Sequence, residues 1–174
     1  MSALGQDTDR EGLFGFPNPV NEKAARSVAG GVVVLSVVTL GLSLFAGYGW
    51  LWLTAVLAYG FLARVLTGPK LSPLGQLATR VAAPRLGPAK LVAGPPKRFA
   101  QLIGLVVTGA AFLATVLGGY GLAQALLGVI IVAATLESVF ALCLGCRIFA
   151  VLMRFGLIPE QTCEACANIA LRHA

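Results

Sequence analysis

The chain has 174 residues, of which 57% are hydrophobic and only 11% charged. That excludes an ordinary soluble domain, in which about a quarter of the residues are charged. A net charge of +6 does not point to nucleic acid, because the basic residues are scattered among Pro and Gly with no aromatic-bearing basic patch.

Residues 1–26 are polar, with Asp7, Asp9, Glu11, Glu22, Lys23 and Arg26 ahead of any apolar run, and are expected to form an N-terminal segment without a cleavable signal peptide. Four stretches then reach the length of roughly 20 helical residues that crosses a hydrocarbon core: 27–46, 49–66, 99–118 and 121–142. Their many small residues suit close packing of membrane helices. Gly47-Tyr48-Gly49 and Gly119-Tyr120-Gly121, 72 residues apart, form the two short turns, and Arg26 and Arg98 stand at the same offset. This predicts two hairpins, 27–66 and 99–142, related by parallel internal duplication.

Between the hairpins lies a basic connector, 67–98, punctuated by Pro and Gly. Ser72-Pro73 reads as an N-cap and first helical position. Leu74, Leu77, Ala78 and Val81 follow at helical spacing with Gln76 and Arg80 off that face, which predicts a short helix in the membrane interface. Both Gly-Tyr-Gly turns are uncharged, whereas the 13 Lys and Arg residues fall on or near the opposite side. Basic residues near span ends are retained inside, so both termini are expected in the cytoplasm and the chain in a cell membrane as a multi-pass protein. Its partner there is the lipid bilayer, with anionic headgroups suited to the basic residues. An oligomer is compatible with the sequence.

Glu137 lies among apolar residues in the fourth span, where a carboxylate needs a partner or a water-filled cavity. It stands 16 residues after Gly121, and Arg64 stands 15 after Gly49. Their depths differ by about 1.5 Å, which predicts an intramembrane Arg64–Glu137 ion pair. The competing readings are that Arg64 snorkels to the surface unaided and that Glu137 bonds to Ser138, Thr135 or backbone. A minimal transporter using Glu137 is a weaker reading, since Gln101, Gln124 and scattered Ser and Thr are the other polar groups in the spans.

The tail, 143–174, holds all four cysteines, as Cys143-Leu-Gly-Cys146 and Cys163-Glu-Ala-Cys166. Their spacing fits a four-thiolate zinc site, and each pair also fits a dithiol/disulfide couple. A reducing compartment argues against permanent disulfides. Were residues 147–155 to continue the fourth helix and the tail to return beside it from a turn near 157, Cys146 and Cys163 would be offset by roughly 8 Å along the axis. Thiolates about 2.3 Å from one zinc do not tolerate that, so zinc requires the helix to break near Gly145 or the tail to fold otherwise. Cys163 and Cys166 fall early in a predicted last helix beginning at Pro159, where the helix dipole favours a thiolate, and Arg147 adjoins Cys146. Thiol redox, metal binding and unreactive thiols all remain open. His173, near the end of the chain, reads as a surface residue rather than a ligand.

Ser72-Pro-Leu-Gly-Gln76, Pro95-Pro-Lys-Arg-Phe-Ala100 and the run from Cys143 through Ile158-Pro-Glu160 to Cys163-x-x-Cys166 resemble a family of small membrane proteins common in actinobacteria, the domain of unknown function number four-three-nine-five. The resemblance covers most of the chain after about Asn18 and implies a bacterial integral membrane protein. It also implies genes lying near thioredoxin-like or rhodanese-like sulfur-handling proteins, hence a partner of that kind, and assigns no reaction. The expectation is therefore an all-α polytopic protein with four spans in two hairpins and a cytoplasmic helical tail. Its leading function is that of a thiol-redox or sulfur-relay accessory protein. The competing function is a structural or assembly protein with zinc held by Cys143, Cys146, Cys163 and Cys166.

Overall fold

The computed structural model describes residues 18–159. Asn21 opens helix α1 (Glu22–Phe45) by accepting a hydrogen bond from the Lys23 N–H, the standard device for an unpaired N-terminal donor. A 3-10 turn, Tyr48–Trp52, leads into α2 (Leu53–Thr67). The connector folds as α3 (Pro73–Leu77), a π-helical stretch (Ala78–Ala82) and α4 (Ala83–Arg85). Then come α5 (Gly94–Val116), α6 (Tyr120–Phe140) and α7 (Leu144–Arg154). Two-residue strands, β1 (Val20–Asn21) and β2 (Leu91–Val92), pair antiparallel and tie the start of α1 to the end of the connector.

Four helical stretches, Glu22–Phe45, Tyr48–Thr67, Gly94–Val116 and Tyr120–Phe140, are long and apolar enough to cross a membrane, and the fold is all-α and polytopic. Only 17% of the α6 window is buried within the protein, and so large an apolar surface needs lipid around it. Spans one and three begin five residues before their expected starts at 27 and 99. Asn21 caps the first, and Pro95 and Pro96 sit in the opening turn of the third, where a missing N–H costs nothing.

The four spans are joined as hairpins but packed otherwise. α1 lies along α6, α2 along α5, and α5 along α6, while α1 and α2 touch little. Small residues make these seams: Ala29, Ser36, Thr39 and Ser43 on α1, Ala123 and Ala134 on α6, and Gly104, Thr108 and Ala111 on α5 are buried. Without a hydrophobic force between helices in lipid, such residues let backbones approach closely. Gly104 takes this furthest, since a Cβ there would stand 2.2 Å from Phe61 Cε1 on α2. Between α1 and α2 the connector enters as a wedge, with Leu74 against Gly31.

The two halves answer one another. Tyr48 and Tyr120, from the two Gly-Tyr-Gly turns, stack with ring centroids 4.6 Å apart. Arg26 donates to the carbonyls of Ser138 and Val139 near the end of α6, and Arg98 donates to the Val65 carbonyl near the end of α2. Each arginine thus satisfies the last carbonyls of the other half's second helix, groups that have no partner within their own helix. Trp50, Trp52 and both tyrosines are exposed around the turn end, as in the aromatic belts of membrane proteins.

Gly104→Ala is expected to lower thermal stability in detergent by about 1–3 kcal/mol through overpacking against Phe61. Adding Phe61→Leu should recover part of that loss. Equal losses in both backgrounds, measured by thermal unfolding, would contradict the close α2–α5 seam.

Candidate functional site

The polar groups of the spans gather at the end opposite the tyrosine stack. Arg64, buried on α2, donates through Nε to Gln101 Oε1 on α5 at 2.7 Å and through an Nη to Ser72 Oγ at 3.1 Å. Its guanidinium lies 4.5 Å from the Phe61 ring centroid. Ser72 also caps α3, its hydroxyl oxygen accepting from the Gly75 N–H, so one side chain fixes both the connector and Arg64. The arginine is held by named partners within the fold instead of snorkelling unaided.

Glu137 does not pair with Arg64. Its carboxylate accepts from Lys97 Nζ at 2.7 Å, with side-chain exposures of only 9% for Lys97 and 15% for Glu137. Equal depth along two helix axes does not decide which helices adjoin. α5 packs against both α2 and α6, so a cation on α5 reaches the carboxylate first. Counted from the Leu117–Gly119 turn, Lys97 and Glu137 differ by two residues, or about 3 Å of helix, which a lysine spans. Lys97 enters the site because α5 starts at Gly94-Pro95-Pro96, a helix-opening signal ahead of the expected start at 99.

The cysteines owe their position to a break in the chain. α6 stops at Phe140, Ala141 takes the left-handed conformation with φ 55°, and the chain turns before α7. Fourth-span residues and the tail helix are therefore not one continuous rod. Gly145 seats α7 on α5, where a Cβ would stand 2.5 Å from Ala100 Cα, and Phe149 packs against Phe99 with centroids 5.6 Å apart. Ile148, Val151 and Phe155 remain exposed, an apolar face fit for a membrane interface.

Cys143 and Cys146 form a disulfide, with Cα atoms 5.2 Å apart. Cys143 is the N-cap of α7, its sulfur accepting from the Cys146 N–H at 3.3 Å. Cys143 therefore sits at the positive end of the α7 dipole. Cys143 is 8% exposed and Cys146 half-buried, so the second sulfur is the more accessible.

Two cavities meet at this pair. One, of about 480 Å³, is a cleft lined by Arg26, Lys90, Lys97 and Arg147 together with Glu22, Cys143 and Cys146. The other, of about 270 Å³, lies among the spans, with Arg64, Gln101, Glu137 and Cys143 at its polar end. Arg64 and Glu137 thus share a cavity without sharing a bond. Cys163 and Cys166 lie outside the described residues, as does His173. Among the described residues no three His, Cys, Asp or Glu side chains stand together as metal ligands. Cys143 and Cys146 are the two cysteines of the expected set whose surroundings the structure describes.

The model of the family described as domain of unknown function DUF4395 matches residues 20–154. No curated protein and no solved structure gives a match.

Lys97→Met alone should destabilise the protein by about 3–5 kcal/mol, because it leaves the Glu137 charge without a partner. Pairing it with Glu137→Leu should recover most of the loss. Unfolding of the two single variants and the double in detergent checks this, and strict additivity would mean that the ion pair is energetically idle.

Proposed function

We infer that this chain, which belongs to the DUF4395 family, is a membrane-embedded thiol-redox or sulfur-relay accessory protein working through Cys143 and Cys146. The observation that carries this reading is the cysteine pair itself. Its sulfurs are bonded to each other, one of them caps a helix N-terminus, and both line a cleft with four cationic side chains and one carboxylate. Arg147 and Lys97 line the same cleft as the pair, and the thiolate is the species that exchanges.

In the cycle we propose, a partner thiolate attacks the more accessible Cys146 sulfur, forming a mixed disulfide and releasing Cys143 as a thiolate. A second partner thiol then attacks the partner's own sulfur in that mixed disulfide. The partner leaves as a disulfide, and Cys143 and Cys146 are left as a dithiol. The cationic cleft suits a partner with an acidic surface around its cysteines, of the thioredoxin-like or rhodanese-like kind that the sequence resemblance implies. Cys163 and Cys166 would form a second couple in the tail that exchanges with the first. The concentration of Lys and Arg away from the tyrosine turns supports an orientation with this face in the cytoplasm of a bacterial cell, both termini inside and the plasma membrane as the site of action.

Two measurements test the reading. Protein purified without reductant should carry no stoichiometric zinc, and Cys143 and Cys146 should become alkylatable only after reduction. One zinc per chain protecting all four thiols would replace the redox reading with that of a metal-organised assembly protein. Cys143→Ser should trap a mixed disulfide on Cys146 with the exchanging partner in cells, resolved by dithiothreitol on a non-reducing gel. Cys146→Ser should trap far less, since Cys143 is buried.

A further inference from the structure

Cys143 lines both the surface cleft and the cavity among the spans. The second of these is apolar along its walls and polar at one end. Its walls are Val32, Phe61, Val107, Ile130 and neighbouring apolar residues, and Val129, Leu144 and Ile148 on its lining are 55%, 42% and 46% exposed on the outside of the helices. An opening bordered by such residues faces lipid, so an occupant arrives through the bilayer rather than from water. The volume of about 270 Å³ falls just below the roughly 300–1,000 Å³ of sites that enclose drug-sized molecules, which suits a small ring whose tail stays in the membrane.

The inner end of the cavity is polar. Gln101 lines this end and accepts from Arg64 through Oε1. Glu137, anchored by Lys97, and Cys143 complete that end. An acyl chain matches the walls but makes no hydrogen bond to the polar side chains at this end. A ring bearing carbonyl oxygens matches both.

We propose that this cavity binds a lipid-soluble quinone, which reoxidises the Cys143–Cys146 dithiol. The inference rests on the redox reading of that pair. Cys143 thiolate adds to the quinone ring, Cys146 thiolate attacks Cys143 Sγ, and the S–S bond forms as the reduced ring leaves. Two electrons pass from the sulfurs to the ring, and two protons, equal to those lost by the thiols, end on its oxygens. In sum, dithiol and quinone become disulfide and hydroquinone. Gln101 positions a ring carbonyl by donating a hydrogen bond. Electrons thus enter at Cys146 from the cleft and leave at Cys143 into the membrane.

The test uses the full chain in lipid nanodiscs, reduced with dithiothreitol and freed of it without oxygen. Short-tailed ubiquinone or menaquinone analogues are then added, and quinone absorbance and free thiols are followed together. One quinone should be consumed per two thiols of the Cys143–Cys146 pair, at a rate that saturates with quinone. Ala133→Phe, which fills the cavity from α6, should slow this oxidation by about tenfold or more relative to the rate of disulfide reduction by dithiothreitol in the same variant. A protein that binds quinone in the cavity should also gain thermal stability on addition of the analogue, and Ala133→Phe should lose that gain. A rate that stays linear in quinone and indifferent to Ala133→Phe overturns the quinone site and leaves the thiol reading standing. A pair that never cycles between dithiol and disulfide overturns both.

Discussion

Close approach of small residues along the α1–α6 and α2–α5 seams is the constraint on which the rest of this structure depends. Helices in lipid gain nothing by hiding apolar side chains from one another, so the surfaces that admit the nearest backbone contact decide who neighbours whom. Here those surfaces join the first helix of each half to the second helix of the other. The exchange puts Arg26 at the end of α6 and Arg98 at the end of α2, and it brings the two turn tyrosines face to face. It also leaves α1 and α2 apart, giving the connector its place between them.

The polar end of the bundle follows from the same adjacency. Because α5 stands between α2 and α6, it carries the partners of both intramembrane charges, Gln101 for Arg64 and Lys97 for Glu137. Each charge is compensated by a hydrogen bond or ion pair within the fold, as a low-dielectric setting demands. α5 also receives α7, through Gly145 against Ala100 and Phe149 against Phe99. One helix thereby positions the ion pair, the arginine and the cysteine pair. That concentration on α5 is why the cleft and the intramembrane cavity converge on Cys143.

The break after Phe140 links fold to chemistry. Had α6 run on through residue 155, Cys143 would have been one more residue on a rod. The left-handed Ala141 turns the chain, and the sulfur becomes the cap of a new helix. The capping sulfur stands beside a basic cleft, and the exposed apolar face of α7 suits a membrane interface.

The number and order of the four spans, the duplicated turns, the Ser72 cap and the candidate cysteines were determined by sequence alone. They depend on local patterns: the length of apolar runs, Gly and Pro punctuation, and the spacing of identical motifs. What only the tertiary structure decided was adjacency. Glu137 and Arg64 lie at matching depth, yet depth along an axis carries no information about which helix lies alongside, and the partner of Glu137 proved to be Lys97. The turn at Ala141 was equally hidden, because alanine carries no local signal for the left-handed conformation it takes ahead of the docking of Gly145 and Phe149 on α5. Sequence spacing marked the sulfurs as candidates, and helix packing placed one of them between a surface cleft and a cavity among the spans.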